Sequence, residues 1–162
     1  MSLGDITIVK AGGLSNVPTY KYRVQAGATT INAGEPVKIA TAGAAYVVRS
    51  ADAEPVTGTP TFVGIAATTS TQTASVDGVV EVYRPVQGVV FRAPAKVKTA
   101  IDTDAEVISV LNNRTVFDLT GSTYTLDESA ADAGTNGLII VDADPVKGTV
   151  DFEVRASVLA QQ

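Results

Sequence analysis

Apolar and polar residues alternate along most of this chain. Between positions 20 and 25, two tyrosines and a valine alternate with Lys21, Arg23 and Gln25, and residues 149–155 repeat the pattern. In a β-strand, neighbouring side chains point to opposite faces, so a pattern that repeats every two residues indicates a strand with one apolar face and one polar face. The pattern predicts about a dozen short strands, at residues 5–9, 20–25, 37–40, 46–49, 62–67, 79–84, 89–92, 96–101, 106–111, 115–119, 137–141 and 149–155.

Turn-forming residues separate these segments. Gly34 and Pro36 precede one predicted strand, Asp77-Gly78 precedes another, and Asn112-Asn113 has the look of a tight hairpin. Short strands at this spacing predict an all-β fold of about 10–12 strands with little helix. A jelly-roll-like sandwich and a compact β-barrel both satisfy the pattern.

One segment carries a competing helical pattern. Val97, Ile101, Ala105 and Ile108 fall at helical spacing, but acidic residues interrupt them at 102 and 104. Lysines also alternate with other residues at 96–99, which favours a strand. We therefore expect strands rather than a helix here.

The chain divides into two parts by composition. Glycine, serine, asparagine and proline surround a short apolar patch in residues 1–19, which predicts a partly extended N-terminal arm. Residues 20–162 are expected to form a single β domain, since 162 residues suit one core.

Composition excludes several kinds of chemistry. The chain has 24 Val and 20 Thr but no His, no Cys and no Trp. Without His or Cys it has no Ser-His-Asp or Cys-His nucleophile system, and it lacks the usual ligands of zinc, copper, haem and iron–sulfur sites. No disulfide is possible. We predict no enzyme activity, no catalytic residues, no cofactor and no dedicated metal site.

The charge and hydropathy of the chain reduce the classes of partner that we expect. The net charge is −5, and no run of basic residues offers a phosphate-binding stripe, so nucleic acid is not an expected partner. No apolar stretch approaches the roughly 20 residues that span a bilayer. The N-terminus has no signal-peptide pattern, which predicts a protein kept in a cytoplasm or released by lysis.

The acidic residues form only weak motifs. Asp118 precedes Thr120-Gly121, but Leu119 displaces the spacing of an aspartic-protease signature. Asp102, Asp104 and Glu106 alternate as calcium ligands sometimes do, without the glycine and later bidentate acid of an EF-hand loop. Solvated acidic turns are the favoured interpretation here and at residues 142–144, and whether these turns bind a cation stays open.

Several β-turn and strand segments of this chain are similar to segments of a known protein family. Together they cover roughly residues 20–155. The segments are 33–38 (AGEPVK), 62–71 (FVGIAATTST), 77–83 (DGVVEVY), 88–91 (GVVF) and 148–155 (GTVDFEVR). In these segments the chain resembles the head decoration, or cement, proteins of tailed bacteriophages.

The resemblance implies a structural virion protein on the outer surface of a phage capsid. Such proteins clamp neighbouring major capsid subunits, commonly as trimers or dimers, with the trimer favoured here. The implied location is the capsid exterior, reached from the host cytoplasm during assembly, with no membrane or nucleic-acid partner. We further hypothesise that the arm contributes part of the capsid contact through five apolar anchors: Leu3, Ile6, Ile8, Leu14 and Val17. A disordered tail and an ordinary first strand are the alternatives for this arm.

Two other functions share the same composition. One is another structural phage component, such as a tail, spike or minor capsid domain. The other is a carbohydrate-binding or adhesion module, which would need an exposed aromatic patch among the five tyrosines.

Overall fold

The computed structural model describes residues 6–12, 16–41, 45–58 and 61–160. Twelve strands and one short α-helix are found in these ranges. In chain order they are β1 (Thr7–Ala11), β2 (Thr19–Val24), β3 (Pro36–Ile39), β4 (Val47–Arg49), β5 (Phe62–Ala66), β6 (Gly78–Tyr83), β7 (Val89–Pro94), α1 (Asp104–Val110), β8 (Arg114–Thr115), β9 (Phe117–Thr120), β10 (Thr123–Leu126), β11 (Leu138–Asp144) and β12 (Thr149–Val154). Two single 3₁₀ turns, Lys98–Ala100 and Ala156–Val158, complete the set.

The strands form three antiparallel sheets. The first sheet has the order β1-β7-β12-β11-β8, the second has the order β2-β6-β5-β3-β4, and β9 and β10 form a separate hairpin. No sheet in the described part of the chain closes into a barrel. The all-β prediction is confirmed, and the architecture is that of a sandwich.

The first core contains all four phenylalanines of the chain. Phe91 and Phe152 stack with their ring centroids 5.8 Å apart, and Phe117 meets Phe152 edge-on at 5.4 Å. Phe62 of the second sheet lies 6.2 Å from Phe117. Aromatic pairs in these geometries add to the free energy gained by burial, so this cluster joins the first sheet, the β9–β10 hairpin and the second sheet.

The second core lies inside the curled second sheet and consists mainly of valine. Its fully buried members include Val24, Ile31, Val37, Val80 and Val82. A single bridge between Arg23 and Tyr46 brings the two ends of this sheet together without closing it. Small β-branched side chains fill the narrow space within such a tightly curved sheet.

β5 belongs to both cores because a β-bulge breaks its alternation. The register with β3 shifts so that Val63 is an extra residue. Phe62 and Ile65 consequently face the first core, while Val63 and Ala66 face the second. All five residues of this strand are buried.

Two predicted strands, 96–101 and 106–111, are wrong. Residues 98–100 form a 3₁₀ turn and Asp104–Val110 forms α1. A capping box starts the helix: the Thr103 hydroxyl accepts from the Glu106 N–H, and the Glu106 carboxylate accepts from the Thr103 N–H. Asn112 follows the helix with φ of 65°, so Asn112-Asn113 ends a helix instead of turning a hairpin.

Candidate interaction surface

The segment predicted as an extended arm, residues 1–19, contributes β1, and the predicted strand that follows it forms β2; each is an edge strand of a large sheet. β1 pairs with β7 at the edge of the first sheet, and β2 pairs with β6 at the edge of the second. Within the described ranges, no strand lies on the outer side of β1. An open strand edge presents backbone N–H and C=O groups that a partner can bind.

The five predicted anchors lie in different environments. Leu3 and Leu14 fall outside the described residues. Ile6 and Val17 are buried in the first core, and Ile8 is partly buried against it. These three side chains stabilise the fold, so Ile6 and Val17 would have to leave the core to touch a partner. Their contact with a capsid stays a prediction.

Val9 is the exposed apolar residue of β1, at 45% exposure. The register between β1 and β7 shifts between Ile8 and Lys10, which makes Val9 the extra residue of a second β-bulge. The bulge leaves Val9 and Lys10 facing solvent side by side. Sequence reasoning missed Val9 because simple alternation gives no sign of where a bulge falls.

Exposed residues surround β2 on both faces of the sheet: Lys21, Arg23 and Val79 lie on one face, and Tyr20 lies on the other face beside Arg84. Lys21 extends into solvent at 72% exposure, 3.6 Å from Glu81, a separation that contributes little in water. The Arg84 guanidinium lies 5.7 Å from the Tyr20 ring centroid. Tyrosine and arginine together are typical of residues that dominate protein–protein contacts.

A hydrogen-bonded cluster holds this edge in place. Asp77 Oδ2 accepts from Arg23 Nη2 and from the Tyr46 hydroxyl, each at 2.9 Å, and Oδ1 accepts from the Ala26 N–H at 2.9 Å. The Ala26 N–H and the Tyr46 hydroxyl hold the pKa of Asp77 below its ordinary value. The same bond to Asp77 raises the pKa of the Tyr46 hydroxyl. The cluster therefore links β2 to the segment before β4 and to the turn before β6.

Charge is distributed unevenly over the molecule. Residues 6–34 contain no Asp or Glu; β1 carries Lys10, and the residues around β2 include Lys21, Arg23 and Arg84. Asp77 and Glu81 are the acidic neighbours there. That leaves eight of the 12 basic and 15 of the 17 acidic residues elsewhere in the chain. Basic residues therefore outnumber acidic ones along β1 and around β2, although the net charge of the whole chain is −5.

The acidic turn at residues 102–106 caps a helix. Glu106 Oε2 accepts from the Thr103 hydroxyl at 2.9 Å, which lowers the pKa of Glu106. The Asp102 carboxyl lies beside Glu106. Its hydrogen bond with the Glu106 side chain, and the negative charge of that side chain, raise the pKa of Asp102. In the described part of the chain, no three His, Cys, Asp or Glu side chains are grouped to hold a metal ion.

Asp118, from the protease-like motif, forms an ion pair. Lys96 Nζ lies 2.8 Å from Asp118 Oδ1 and 2.8 Å from Asp127 Oδ2, and these bonds raise the pKa of Lys96. The buried Glu128 carboxylate accepts the backbone N–H groups of Lys96 and Val97 at 2.9 and 2.6 Å. These contacts fasten the β9–β10 hairpin to the segment that precedes α1.

In two cavities, the charged side chains in the walls form ion pairs. A cavity of about 270 Å³ contains Lys38 and Glu54, whose Nζ and Oε1 atoms are 2.6 Å apart. A second, of about 250 Å³, is lined by Arg49 and Tyr124, and Arg49 Nε lies 3.1 Å from Glu35 Oε2. The two ion pairs neutralise these charges, but the buried Arg49 Nη2 and Ser50 Oγ have no hydrogen-bond partner among the described residues.

Comparison with known proteins gives no relatives: no protein-family model matches this chain, and no curated protein is significantly similar to it. Among the described residues, no helix has the length and apolar content needed to cross a bilayer.

Proposed function

We propose that this chain is a structural virion protein that binds the outer surface of a phage capsid and clamps neighbouring major capsid subunits. The observation that carries the proposal is the position of β1, an edge strand whose outer side pairs with no other strand of the described residues and which carries the exposed Val9. A segment placed in this way adds a strand, or an apolar contact, to a neighbouring protein.

The rest of the molecule fits a passive clamp. Two cores joined by β5 make a stiff body, and stiffness lets a clamp resist separation of the subunits it joins. The absence of Cys and His, with a single Met, leaves little to be oxidised or to titrate near neutral pH. A net charge of −5 suits the exterior of a shell whose interior holds DNA.

The proposal includes the partners and the location. The principal partner is the major capsid protein, and copies of this chain associate with one another, so that many modest contacts add up by avidity. We propose the capsid exterior as the site of action, after synthesis in the host cytoplasm. The role is structural and requires neither catalysis nor a cofactor.

Undecorated heads test the proposal directly. Heads assembled without this chain should bind the purified protein to a fixed number of copies and should then withstand higher temperature before releasing DNA. Val9→Asp places a charge on the open edge and should weaken binding at least tenfold, equivalent to about 1.4 kcal/mol. The measurement is co-sedimentation with heads across a range of protein concentrations.

Val76→Asp is the matched control, since Val76 is also an exposed valine (61%) but lies in the loop before β6. This variant should bind heads like the unmodified protein, and circular dichroism should show both variants folded. Failure of the unmodified protein to bind heads would contradict the proposed function. Equal binding by Val9→Asp would show that β1 is not the contact.

A further inference from the structure

We propose that a groove at one end of the first sheet binds a lysine or arginine side chain of the protein that contacts β1. We call it the Glu153 groove. The inference rests on the proposed function, in which that protein is the major capsid protein, and it names the chemistry of a second contact. The groove has a volume of about 330 Å³ and lies between the segment before β7, the start of β11, the end of β12 and the segment after β12.

Apolar side chains form much of the walls of the groove. Val86 is 39% exposed, and Ile139, Val154 and Leu159 are partly buried. Ile139 lies opposite Glu153 on the paired strand, which places an apolar side chain directly beside the carboxylate. Walls of this kind suit the aliphatic stem of a long side chain.

Glu153 contributes a carboxylate without a partner. Among the described residues, no basic group lies within ion-pair distance of Glu153 and no donor forms a hydrogen bond to it. Arg155 is the other charged residue of the walls, and its Nη1 donates to the carbonyl groups of Gly134 and Asn136 at 2.8 and 2.7 Å. The negative charge of Glu153 is therefore available to a ligand.

The combination of apolar walls and a free carboxylate selects the occupant. An acidic group would be repelled by Glu153, and a purely apolar group would remove that carboxylate from water without giving it a partner, which costs free energy. Lysine and arginine side chains end an aliphatic stem in a cation, so a single side chain can cover the walls and pair with Glu153. The attraction is stronger here than at an open surface because the apolar walls lower the local dielectric constant.

The groove lies next to the end of β1. Ala11, the last residue of β1, pairs with Val89, which closely follows Gln87 in the groove wall. A Cβ on Gly12 would lie 2.9 Å from the Gln87 carbonyl oxygen, so the chain that leaves β1 touches this wall. A protein that covers the edge of β1 is therefore well placed to insert a side chain into the groove.

Small-molecule probes test the chemistry of the groove without a capsid. At pH 7, n-butylammonium copies the lysine side chain, and n-butanol has the same stem without the charge. NMR titration of the methyl groups of Ile139, Val154 and Leu159 in the full chain should show n-butylammonium binding about threefold more tightly than n-butanol, as expected for a partly exposed ion pair. Glu153→Gln keeps the shape of the side chain but removes its charge, and it should abolish this preference.

Undecorated heads test the partner. Glu153→Lys should weaken co-sedimentation about tenfold, because the new cation faces the cation of the partner, and Glu153→Gln should weaken it about threefold. Asp104 provides the matched controls, since it is an exposed acidic residue on α1. Asp104→Asn should keep the preference for n-butylammonium, Asp104→Lys should bind heads like the unmodified protein, and circular dichroism should show every variant folded.

The outcomes separate this inference from the proposed function. Equal affinities for n-butylammonium and n-butanol, or a preference that survives Glu153→Gln, would overturn the inference. Normal head binding by both Glu153 variants would overturn the capsid contact at the groove and leave the proposed function standing. Heads that do not bind the unmodified protein would contradict the proposed function, whereas a preference for n-butylammonium that depends on Glu153 would still support the groove as a site for cationic side chains.

Discussion

At the scale of single residues, Gly64 allows β5 to serve both cores. Its φ of +152° lies where side chains are strongly disfavoured, and a Cβ there would approach the Tyr83 carbonyl oxygen to 2.0 Å. The atom it would meet belongs to the backbone of β6, which cannot move without breaking the pairing of the second sheet. The bulge at Val63 therefore depends on glycine at position 64.

Gly64→Ala should destabilise the protein by more than about 2 kcal/mol, because backbone strain and overpacking add. Gly121→Ala is the control: its φ is +65°, but nothing lies within 4 Å of the new Cβ, so the cost is about 1 kcal/mol. Urea unfolding of the two variants gives the comparison. Equal losses in the free energy of unfolding would mean that the contact between the new Cβ and the Tyr83 carbonyl adds nothing to the destabilisation.

At the scale of elements, two arginines fasten the long segment between β10 and β11. Asp132 accepts from Arg114 Nε at 2.7 Å, from Arg114 Nη2 at 3.1 Å and from the Arg114 N–H at 3.0 Å. Arg155 Nη1 donates to the carbonyl groups of Gly134 and Asn136 at 2.8 and 2.7 Å. Bidentate bonds of this type fix geometry as well as adding energy.

The bonds from Arg114 lower the pKa of Asp132 from 3.8 to about 2. A lowered folded-state pKa means that this contribution to stability is complete above about pH 4 and disappears as the pH falls through 2. Arg114→Gln should return the pKa of Asp132 towards 3.8, as measured by NMR titration of the carboxyl carbon. Arg23→Gln, which removes a partner of Asp77, should leave Asp132 unchanged; an Asp132 pKa near 2 in Arg114→Gln would contradict the assignment.

Most strands could be predicted from alternation, whereas α1 and β10 could not. The short α1 buries only Val110, and its ends are set by the Thr103 N-cap and by Asn112, the positive-φ residue after the C-cap. Alternation in the sequence favours a strand over these residues, and Asn112-Asn113 favours a hairpin. β10 (Thr123–Leu126) was missed because only Tyr124 and Leu126 mark its buried face. A short helix or strand contains too few residues to show a clear periodic pattern, so local capping residues decide its structure.

At the scale of the whole molecule, the two cores are expected to unfold together. They share β5, and β6 connects the second sheet to β7 of the first through a short turn. Ile31 lies in the second core and Ile65 in the first, and both are essentially fully buried. Loss of packing in either core weakens β5, on which the other core also depends.

Ile31→Ala and Ile65→Ala should each cost about 2–5 kcal/mol, and each should give a single unfolding transition. Hydrogen exchange followed by mass spectrometry should show β2 and β12 losing protection to a similar extent in both variants. Val79→Ala is the surface control, since Val79 is exposed, and it should change stability by less than about 0.5 kcal/mol. Loss of protection confined to one sheet would contradict the expectation that the two cores unfold together.

The interaction surfaces were the least predictable feature of the molecule. The apolar residues of the N-terminal segment could be identified from sequence, but their direction depends on pairing with β7, about 80 residues further along the chain. Ile6 and Val17 consequently lie in the core, while Val9 is exposed. The uneven charge was visible in the sequence, but only the strand pairing shows that Lys10 lies on the edge strand of one sheet and that Lys21 and Arg23 lie on the edge strand of the other.

The bulge at Val9 also bears on solubility. An edge strand with a regular ladder can recruit identical strands from other molecules into a growing fibril, and this danger increases with concentration. The bulge interrupts the ladder of β1, and Lys10 repels a copy aligned beside it. At high concentration the protein is therefore protected from forming amyloid, while its edge stays accessible to a differently shaped partner.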